Sequence, residues 1–323
     1  MAGGVVTNTD SGLACPDWPT CFGSVVPRMA GNVAVEHTHR LIATAVGLCA
    51  VALAALALPR RLTAALAGFA ALILGASFWA GHVKHVAGLL PALGVEMVAL
   101  GFLGCLFVIA KAREMDGKLA AGALSLVMFQ GLLGGLTVLY RLPTLVLVMH
   151  LGTSMLVLSL FLAQALAGLR PQASGLRPWL WITTVAVYAQ ILLGATVRHT
   201  GAGLVCTDLP YCRGELWPSQ VHPMVHLHMA HRAFALVVLG LVCWTSLTVA
   251  RRTMGPVRLL ALAAPVLALL QIALGVATIL TFKDLMPLTA HLMIGALLLA
   301  DCVALLALTR PLEERAALVE APA

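Results

Sequence analysis

The chain of 323 residues is 61% hydrophobic and only 10% charged, with a mean hydropathy of +0.98. A water-soluble domain cannot bury that much apolar surface, so the composition excludes a soluble protein and indicates one that lies mostly in a bilayer. The net charge of +7 does not indicate nucleic-acid binding, because the basic residues are concentrated in alternate connections between apolar segments.

Nine apolar segments are long enough to span a bilayer. Backbone groups in lipid need internal hydrogen bonds, so we predict helices rather than isolated strands. In chain order the nine segments cover residues 34–58, 62–82, 88–110, 118–140, 144–168, 178–199, 226–250, 256–280 and 286–308. The predicted fold is an all-α polytopic membrane protein.

The distribution of lysine and arginine predicts the orientation of the chain. These residues lie in alternate connections and in the C-terminal tail, at 60–61, 111–118, 170–177, 251–258 and 310–315. The positive-inside rule puts such connections on the cytoplasmic side. We therefore predict a multi-pass protein of the inner (plasma) membrane. The N-terminus and the long loops 1–33 and 200–225 lie outside, and the C-terminus is cytoplasmic.

Four of the eight cysteines lie in the two long outward loops, and the other four lie in predicted helices. The loop cysteines are Cys15, Cys21, Cys206 and Cys212. In an oxidising compartment, paired loop cysteines indicate disulfides. A zinc site built from all four is the alternative. The cysteines in helices are interpreted as packing residues.

The two outward loops are copies of each other. GGVVTNTDSGLACPDWPTC, which starts at Gly3, aligns without a gap on GATVRHTGAGLVCTDLPYC, which starts at Gly194, an offset of 191. An offset of 192 aligns EHTHR at 36–40 with HMAHR at 228–232. The matches indicate an internal duplication, which is a common origin of membrane proteins with a site in each half.

A third match lies further along the chain, where residues 130–150 align with 271–291 at an offset of 141. The fall in offset places about 51 additional residues in the first half, which we interpret as an inserted helix pair at about 60–112. We predict two bundles, one formed by residues 1–170 and the other by residues 171–323.

The repeat also bears on the start of the chain. Met1 aligns with Leu192, near the end of a predicted helix. A Q-x-x-L-G pattern begins in that helix at Gln190, as it does at Gln130 and Gln271. We therefore expect that a corresponding apolar helix is encoded upstream of Met1 or has been lost.

Four histidines occupy matching positions in the two halves. His39 and His231 lie about one turn inside helices that enter from the outer surface, and His150 and His291 lie about six residues into other such helices. At about 1.5 Å per residue, all four lie in the outer part of the membrane. Two imidazoles from two helices can ligate one haem from both faces, so the pattern favours a haem in each half over four helix-capping histidines. The neighbours that could replace His231 as a ligand are His226 and His228.

The two halves differ beside these histidines. Glu36 lies one helical turn before His39 on the same face, whereas its repeat partner His228 is not acidic. Arg40 and Arg232 follow in both halves, where haem propionates would need a guanidinium. Glu36 could instead cap the start of its helix. The asymmetry indicates that one half carries out chemistry and the other holds a fixed cofactor.

The motifs SGLACPDWPTC and EHTHRL, the MH at His150 and their second-half copies resemble the haem A synthase family. The resemblance covers nearly the whole chain apart from roughly 60–112. It implies a fold of eight helices in two pseudo-symmetric four-helix bundles. It also implies oxidation of a porphyrin methyl group of haem O to a formyl group, which gives haem A for terminal oxidases.

The resemblance implies roles for individual residues as well. It assigns haem b to His231 and His291, and the substrate haem to a site near His39 and His150, with Glu36 as the catalytic carboxylate. It pairs the loop cysteines as Cys15–Cys21 and Cys206–Cys212.

The partners expected from the resemblance are haem O, haem O synthase, an electron donor or acceptor in the membrane, and the terminal oxidase assembly machinery. The protein could form a homo-oligomer, and nucleic acid is not an expected partner.

The competing hypothesis is a dihaem cytochrome that takes electrons from quinol without modifying its haem. It explains the four histidines but leaves Glu36 without a role. A transporter is disfavoured, because the ionisable cluster lies near the outer surface rather than at the midplane.

Overall fold

The computed structural model describes residues 2–65, 68, 115–219 and 222–310. Within these ranges the chain is mostly helical. The helices are α1 (Ala2–Asn8), α2 (Gly31–Ala57), α3 (Met115–Leu139), α4 (Thr144–Leu166), α5 (Arg177–His199), α6 (Pro223–Arg252), α7 (Gly255–Leu280) and α8 (Leu285–Ala307). Two short strands, β1 (Gln172–Ala173) and β2 (Thr309–Arg310), pair in parallel.

Seven helices of the described part, α2 to α8, are long and apolar enough to cross a membrane. Each of them coincides, to within a few residues, with one of the nine predicted segments. The other two predicted segments, 62–82 and 88–110, lie almost entirely outside the described residues. The chain is an all-helical, multi-pass membrane protein.

Local sequence sets several of the helix ends. Pro178, Pro223 and Pro256 occupy the first turns of α5, α6 and α7, where the missing N–H costs nothing because it has no partner within the helix. Asp284 caps α8, since its side chain accepts a hydrogen bond from the N–H of the next residue at 2.8 Å. Gly201, with φ of 79°, follows the end of α5.

The chain divides into two compact units, Met1–Leu160 and Phe161–Ala323, which we call the N-terminal and C-terminal units. The sequence predicted bundles of 1–170 and 171–323. In the C-terminal unit, α5 and α7 each pack against both α6 and α8, so the four helices close into a bundle. A buried apolar cluster of this bundle includes Leu180, Val249, Ala261 and Leu305.

The N-terminal unit contains α1, α2, α3 and most of α4. Helix α2 packs against both α1 and α3. Helix α4 approaches α3 at Gly122, where an added Cβ would lie 3.8 Å from a methyl group of Leu160. These contacts bring the helices that carry Glu36, His39 and His150 into one unit.

The loop before each of α2 and α6 is closed by a disulfide. Cys15 is bonded to Cys21 and Cys206 to Cys212, and all four side chains are buried. These are the pairs that the resemblance implied, and they leave none of the four free to form the alternative zinc site. A ring nitrogen of His37 lies within 4.8 Å of both sulfur atoms of the first pair. Because a disulfide holds no thiolate, this group is not a metal centre in the oxidised protein.

A carboxylate shapes each disulfide loop from within. Asp17 accepts hydrogen bonds from the N–H groups of Phe22 at 2.6 Å and Gly23 at 2.9 Å and from the hydroxyl of Thr20. Partial burial raises the pKa of Asp17, but these hydrogen bonds outweigh it, so the pKa lies below its ordinary value. The second loop repeats the arrangement, with Asp208 accepting from the N–H of Gly214 at 3.1 Å. This hydrogen bond is the largest of several causes that hold the pKa of Asp208 below its ordinary value.

An arginine attaches the first disulfide loop to the helix that follows it. The guanidinium of Arg40 in α2 donates hydrogen bonds to three loop carbonyls, those of Cys15 at 3.3 Å, Asp17 at 2.8 Å and Thr20 at 2.6 Å. The planar guanidinium carries five N–H donors in a fixed geometry, so one side chain can reach all three acceptors.

Arg232 of α6 does the same for the second loop. It donates to the carbonyls of Cys206 at 2.5 Å, Asp208 at 3.0 Å and Tyr211 at 3.1 Å. These carbonyls occupy the positions that correspond, in the predicted repeat, to those bound by Arg40. The same clamp between loop and helix is therefore present in both units.

We expect Arg232→Lys to loosen the second disulfide loop, because one ammonium group does not reach three separate carbonyls in the way that a guanidinium does. A net loss of about 2 kcal/mol of charge-assisted hydrogen bonding would raise loop opening roughly 30-fold. Hydrogen exchange of the peptide that contains residues 206–215, followed by mass spectrometry, measures this change. Arg213→Lys in the same loop is the control, since Arg213 donates none of these bonds. Equal exchange in the two variants would contradict the clamp.

Candidate functional site

The four predicted histidines meet in pairs, one pair in each unit. In the N-terminal unit, His39 of α2 and His150 of α4 are close enough to interact electrostatically. In the C-terminal unit, His231 of α6 and His291 of α8 do the same. All four side chains are partly buried. The structure thus brings together the pairs that the resemblance implied.

Each of these imidazoles lies against a glycine of a neighbouring helix. A Cβ atom added to Gly3 would lie 3.3 Å from Cε1 of His39, and one added to Gly134 would lie 3.4 Å from Cε1 of His150. In the other unit, a Cβ atom on Gly194 would lie 2.8 Å from Cε1 of His231, and one on Gly275 would lie 3.1 Å from Cε1 of His291. The glycines lie on α1, α3, α5 and α7, and the histidines on α2, α4, α6 and α8. Because glycine has no side chain, each ring can enter the space between two helices.

In the C-terminal unit, glutamines bind the two histidines. The side-chain amide nitrogen of Gln190 lies 3.1 Å from Nδ1 of His231 and donates to the backbone carbonyl of His231 at 2.9 Å. The amide nitrogen of Gln271 lies 3.2 Å from Nε2 of His291, and Nδ1 of His291 lies 3.0 Å from the backbone carbonyl of Gln271. Each glutamine precedes a ring-contacting glycine by four residues, so both lie on the same helix face.

The N-terminal unit holds its histidines differently. Nδ1 of His39 and Nδ1 of His150 are buried and make no hydrogen bond of normal geometry with any residue that the structure describes. His150 also interacts with the backbone carbonyl of Gln130. The side-chain oxygens of Gln130, Gln190 and Gln271 are all buried without a partner among the described residues, so this feature is common to the two units.

Glu36 is buried, with 3% of its surface exposed. One carboxylate oxygen accepts the N–H of Cys15 at 2.8 Å, and the other pairs with Arg40 at 2.5 Å. The alternative that Glu36 caps α2 is wrong, because the N-cap residue is Ala30 and no side chain caps this helix. Glu36 lies one turn before His39, and the carboxylate is fixed by two donors close to that histidine.

The matching position of the C-terminal unit has a different charge. His228, also buried, accepts a hydrogen bond from Nε of Arg232 at 3.3 Å. Lys283 is close enough to interact electrostatically with His228, and its repeat counterpart is Leu142. The C-terminal unit therefore gathers two cations where the N-terminal unit has the ion pair of Glu36 and its arginine.

The arginines have a role that the sequence did not predict. Both guanidinium groups bind loop carbonyls, and their expected role toward haem propionates stays a prediction.

The sequence analysis also did not predict the glycine contacts, although the Q-x-x-L-G pattern contains three of the four glycines. Trp18 was missed as well. Its indole lies against α3 at Gly135, where an added Cβ would be 3.0 Å from Cδ2.

The residues of each unit fit a haem. Two imidazoles from two helices are the usual donors for a haem ligated on both faces. The glycine opposite each ring leaves room that a larger side chain would fill, and the N-terminal pair has buried ring nitrogens without a hydrogen-bond partner among the described residues. The only other described group of metal-ligand type contains the disulfide sulfurs of Cys15 and Cys21.

We expect Gly194→Ala to destabilise the protein, because the added methyl group would lie 2.8 Å from Cε1 of His231. Overpacking of this kind costs about 1–3 kcal/mol. Gly240→Ala on the same helix as His231 is the control, since an added Cβ there meets nothing within 4 Å. Thermal unfolding in detergent should show a lower Tm for the first variant and an unchanged or higher one for the second. Equal Tm values would contradict the tight contact.

Comparison with known proteins gives one consistent result. The family model described as cytochrome oxidase assembly protein matches residues 1–303. The Heme A synthase of Symbiobacterium thermophilum is 29% identical over 76% of this chain and 69% of its own length. Those of Shouchella clausii and Halalkalibacterium halodurans are each 27% identical over 96% of this chain and 92% of their own lengths. Because the family model covers nearly the whole chain, the chain belongs to the family of cytochrome oxidase assembly proteins.

Proposed function

We propose that this chain is a haem A synthase, an oxidoreductase that converts one methyl group of haem O to a formyl group and so supplies haem A to terminal oxidases. The relatives named Heme A synthase support the proposal. One observation carries it: both units pair two histidines, but of these two sites only the N-terminal one has a buried carboxylate, Glu36, one turn from a histidine.

The reaction defines what the site must do. Conversion of a methyl to a formyl group removes four electrons from the carbon, so the site needs a proton acceptor and a route for electrons. Two successive hydroxylations, each of which takes its oxygen from water and releases two electrons and two protons to acceptors, give a geminal diol, which loses water to form the aldehyde. A radical or cation at this carbon is conjugated with the porphyrin, and a nearby anion stabilises developing positive charge.

Glu36 is suited to that task. In the proposed arrangement the substrate haem lies near His39 and His150, and Glu36 accepts protons from the reacting carbon or stabilises its charge. The N–H of Cys15 and the guanidinium of Arg40 each occupy one acceptor position of the carboxylate. A carboxylate has about four such positions, so Glu36 can still bind another partner.

The C-terminal unit is suited to a resident haem b, whose iron His231 and His291 would hold. Haem b would supply one-electron transfer when bound. Nδ1 of His291 donates to the backbone carbonyl of Gln271 on a neighbouring helix, as the second nitrogen of a metal-bound histidine usually does. The two cations near this site, Arg232 and Lys283, suit a molecule that carries carboxylates.

The cellular setting follows from the same argument. The bacterial relatives and the seven apolar helices support a plasma-membrane location. The basic connections support an outer position for both disulfide loops and a cytoplasmic C-terminus. Haem O synthase would supply the substrate, a redox partner in the membrane would exchange electrons, and the oxidase assembly machinery would receive the product.

We expect Glu36→Gln to leave haem b in place while haem O or a hydroxylated intermediate accumulates. Glutamine keeps the size of the side chain but removes its charge, and loss of a general base lowers the rate by about 10²–10⁴-fold. Chromatography of haems extracted from a host supplied with haem O measures the products. His228→Gln, the same change at the repeat counterpart, is the control and should block no chemical step. Haem A formation at the parental rate by Glu36→Gln would refute the catalytic role.

We expect His231→Ala and His291→Ala each to lose the low-spin haem b spectrum, because one of the two residues that would hold its iron is removed. His39→Ala and His150→Ala are the matched variants of the other unit and should keep that spectrum while losing substrate turnover. Absorption spectra and haem content of the four purified variants test the assignment. A normal haem b spectrum in both variants of the C-terminal unit would show that the ligands are assigned wrongly.

A further inference from the structure

The first disulfide loop presents a tryptophan to a membrane helix of its own unit. Trp18 lies between Cys15 and Cys21 and is partly exposed. A Cβ atom added to Gly135 of α3 would lie 3.0 Å from Cδ2, 3.2 Å from Cε2 and 3.1 Å from Cε3 of the indole. An atom that approached the edge of the indole would not be equally close to all three, because Cδ2 and Cε2 are the two atoms that its rings share. The flat face of the indole therefore lies on α3.

Trp18 lies beside the proposed substrate site. The residue before Gly135 is Gly134, where an added Cβ atom would lie 3.4 Å from Cε1 of His150. The indole and this imidazole thus contact neighbouring residues of one helix. Since one face of the indole covers α3, the opposite face points away from that helix and can receive a planar ligand.

One short loop fixes both the indole and the carboxylate. Arg40 binds backbone carbonyls on both sides of Trp18, those of Asp17 at 2.8 Å and Thr20 at 2.6 Å. The same loop donates a backbone N–H to Glu36 at 2.8 Å. The clamp limits movement of the peptide that carries the indole. The positions of the aromatic face and of the proposed catalytic carboxylate are therefore coupled.

In the C-terminal unit the matching positions are aliphatic. The repeat offsets of 191 and 141 relate Trp18 to Leu209 and Gly135 to Val276. A side chain at Gly135 would collide with the indole, because even its Cβ atom would lie 3.0 Å away. Tryptophan and glycine therefore occur together in one unit, and leucine and valine in the other. The disulfides and the arginine clamps match, so the difference is confined to features such as this pair and Glu36.

From these contacts we propose that Trp18 is a specificity-determining residue of the N-terminal unit, and that the free face of its indole packs against the macrocycle of the substrate haem beside His150. The proposal rests on the haem O role given above. A porphyrin is a flat conjugated ring, and offset stacking on an aromatic side chain strengthens binding by about 2- to 10-fold beyond the burial of area. The reacting methyl group must stay in one place relative to Glu36, and the shared loop lets the indole hold the macrocycle there.

The test compares three variants of the full-length protein, which are Trp18→Leu, Trp18→Phe and the double variant Trp18→Leu with Gly135→Val. Haem O is titrated into each purified protein, and the change in Soret absorption gives its Kd. Trp18→Leu should raise this Kd, and the KM for haem O, about 2- to 10-fold. Trp18→Phe keeps a smaller aromatic face and should raise both values less. Trp217→Leu is the control and should match the parent, because Trp217 precedes α6 of the other unit and is 54% exposed.

The double variant separates recognition from packing. Leucine alone leaves space above Gly135, and valine fills that space with the pair of residues that the C-terminal unit carries. The double variant should therefore regain the Tm that Trp18→Leu loses, while its Kd for haem O stays raised. A Kd that returned to the parental value in the double variant, or stayed parental in Trp18→Leu, would overturn the proposal.

If Trp18→Leu does not fold, the comparison of the double variant with the parent decides in the same way. Failure of the proposed function is distinguishable from failure of this proposal. In the first case the parent itself would neither bind haem O nor convert it, and both proposals would fall. In the second case the parent would bind and convert haem O, and the variants at Trp18 would do so equally well.

Discussion

Each of the four imidazoles enters the space between two helices at a point where the facing residue is a glycine. The added Cβ atoms would lie 2.8–3.4 Å from the rings, so even alanine would crowd most of these positions. Both candidate sites depend on this constraint, because it lets a ring on one helix face the interior beside its neighbour. The hydrogen bonds of Gln190 and Gln271 start from the same helices one turn away, so the glycines and glutamines act together on the histidines.

The two disulfide loops are linked to the same sites through backbone atoms. Arg40 and Arg232 bind three carbonyls of their disulfide loops, and Glu36 accepts the N–H of Cys15. The position of the proposed catalytic carboxylate therefore depends on the folded loop as well as on α2. In the C-terminal unit, His228 takes the place of the carboxylate and accepts from the arginine instead. One scaffold thus supports a charged acceptor in one unit and an imidazole in the other.

The sequence was sufficient for the helices and for the pairing of histidines. Long apolar runs leave the backbone few alternatives in lipid, and the repeat offsets relate His39 to His231 and His150 to His291. The sequence was not sufficient to predict contacts that depend on how closely two elements approach each other, such as the glycine contacts and the arginine clamps. The capping role considered for Glu36 failed because α2 begins at Gly31, three residues before the predicted start, which moves Glu36 into the second turn. The two units make matching contacts at positions that the repeat aligns, and the duplication itself stays a prediction.

In the function that we propose, one unit holds a resident haem b and the other receives haem O for oxidation. The haem composition of protein purified from a host that makes haem O tests this claim most directly. Extraction followed by chromatography should find haem b together with haem O, haem A or a hydroxylated intermediate. Haem b alone would contradict the account and favour a dihaem cytochrome that transfers electrons without modifying its haem.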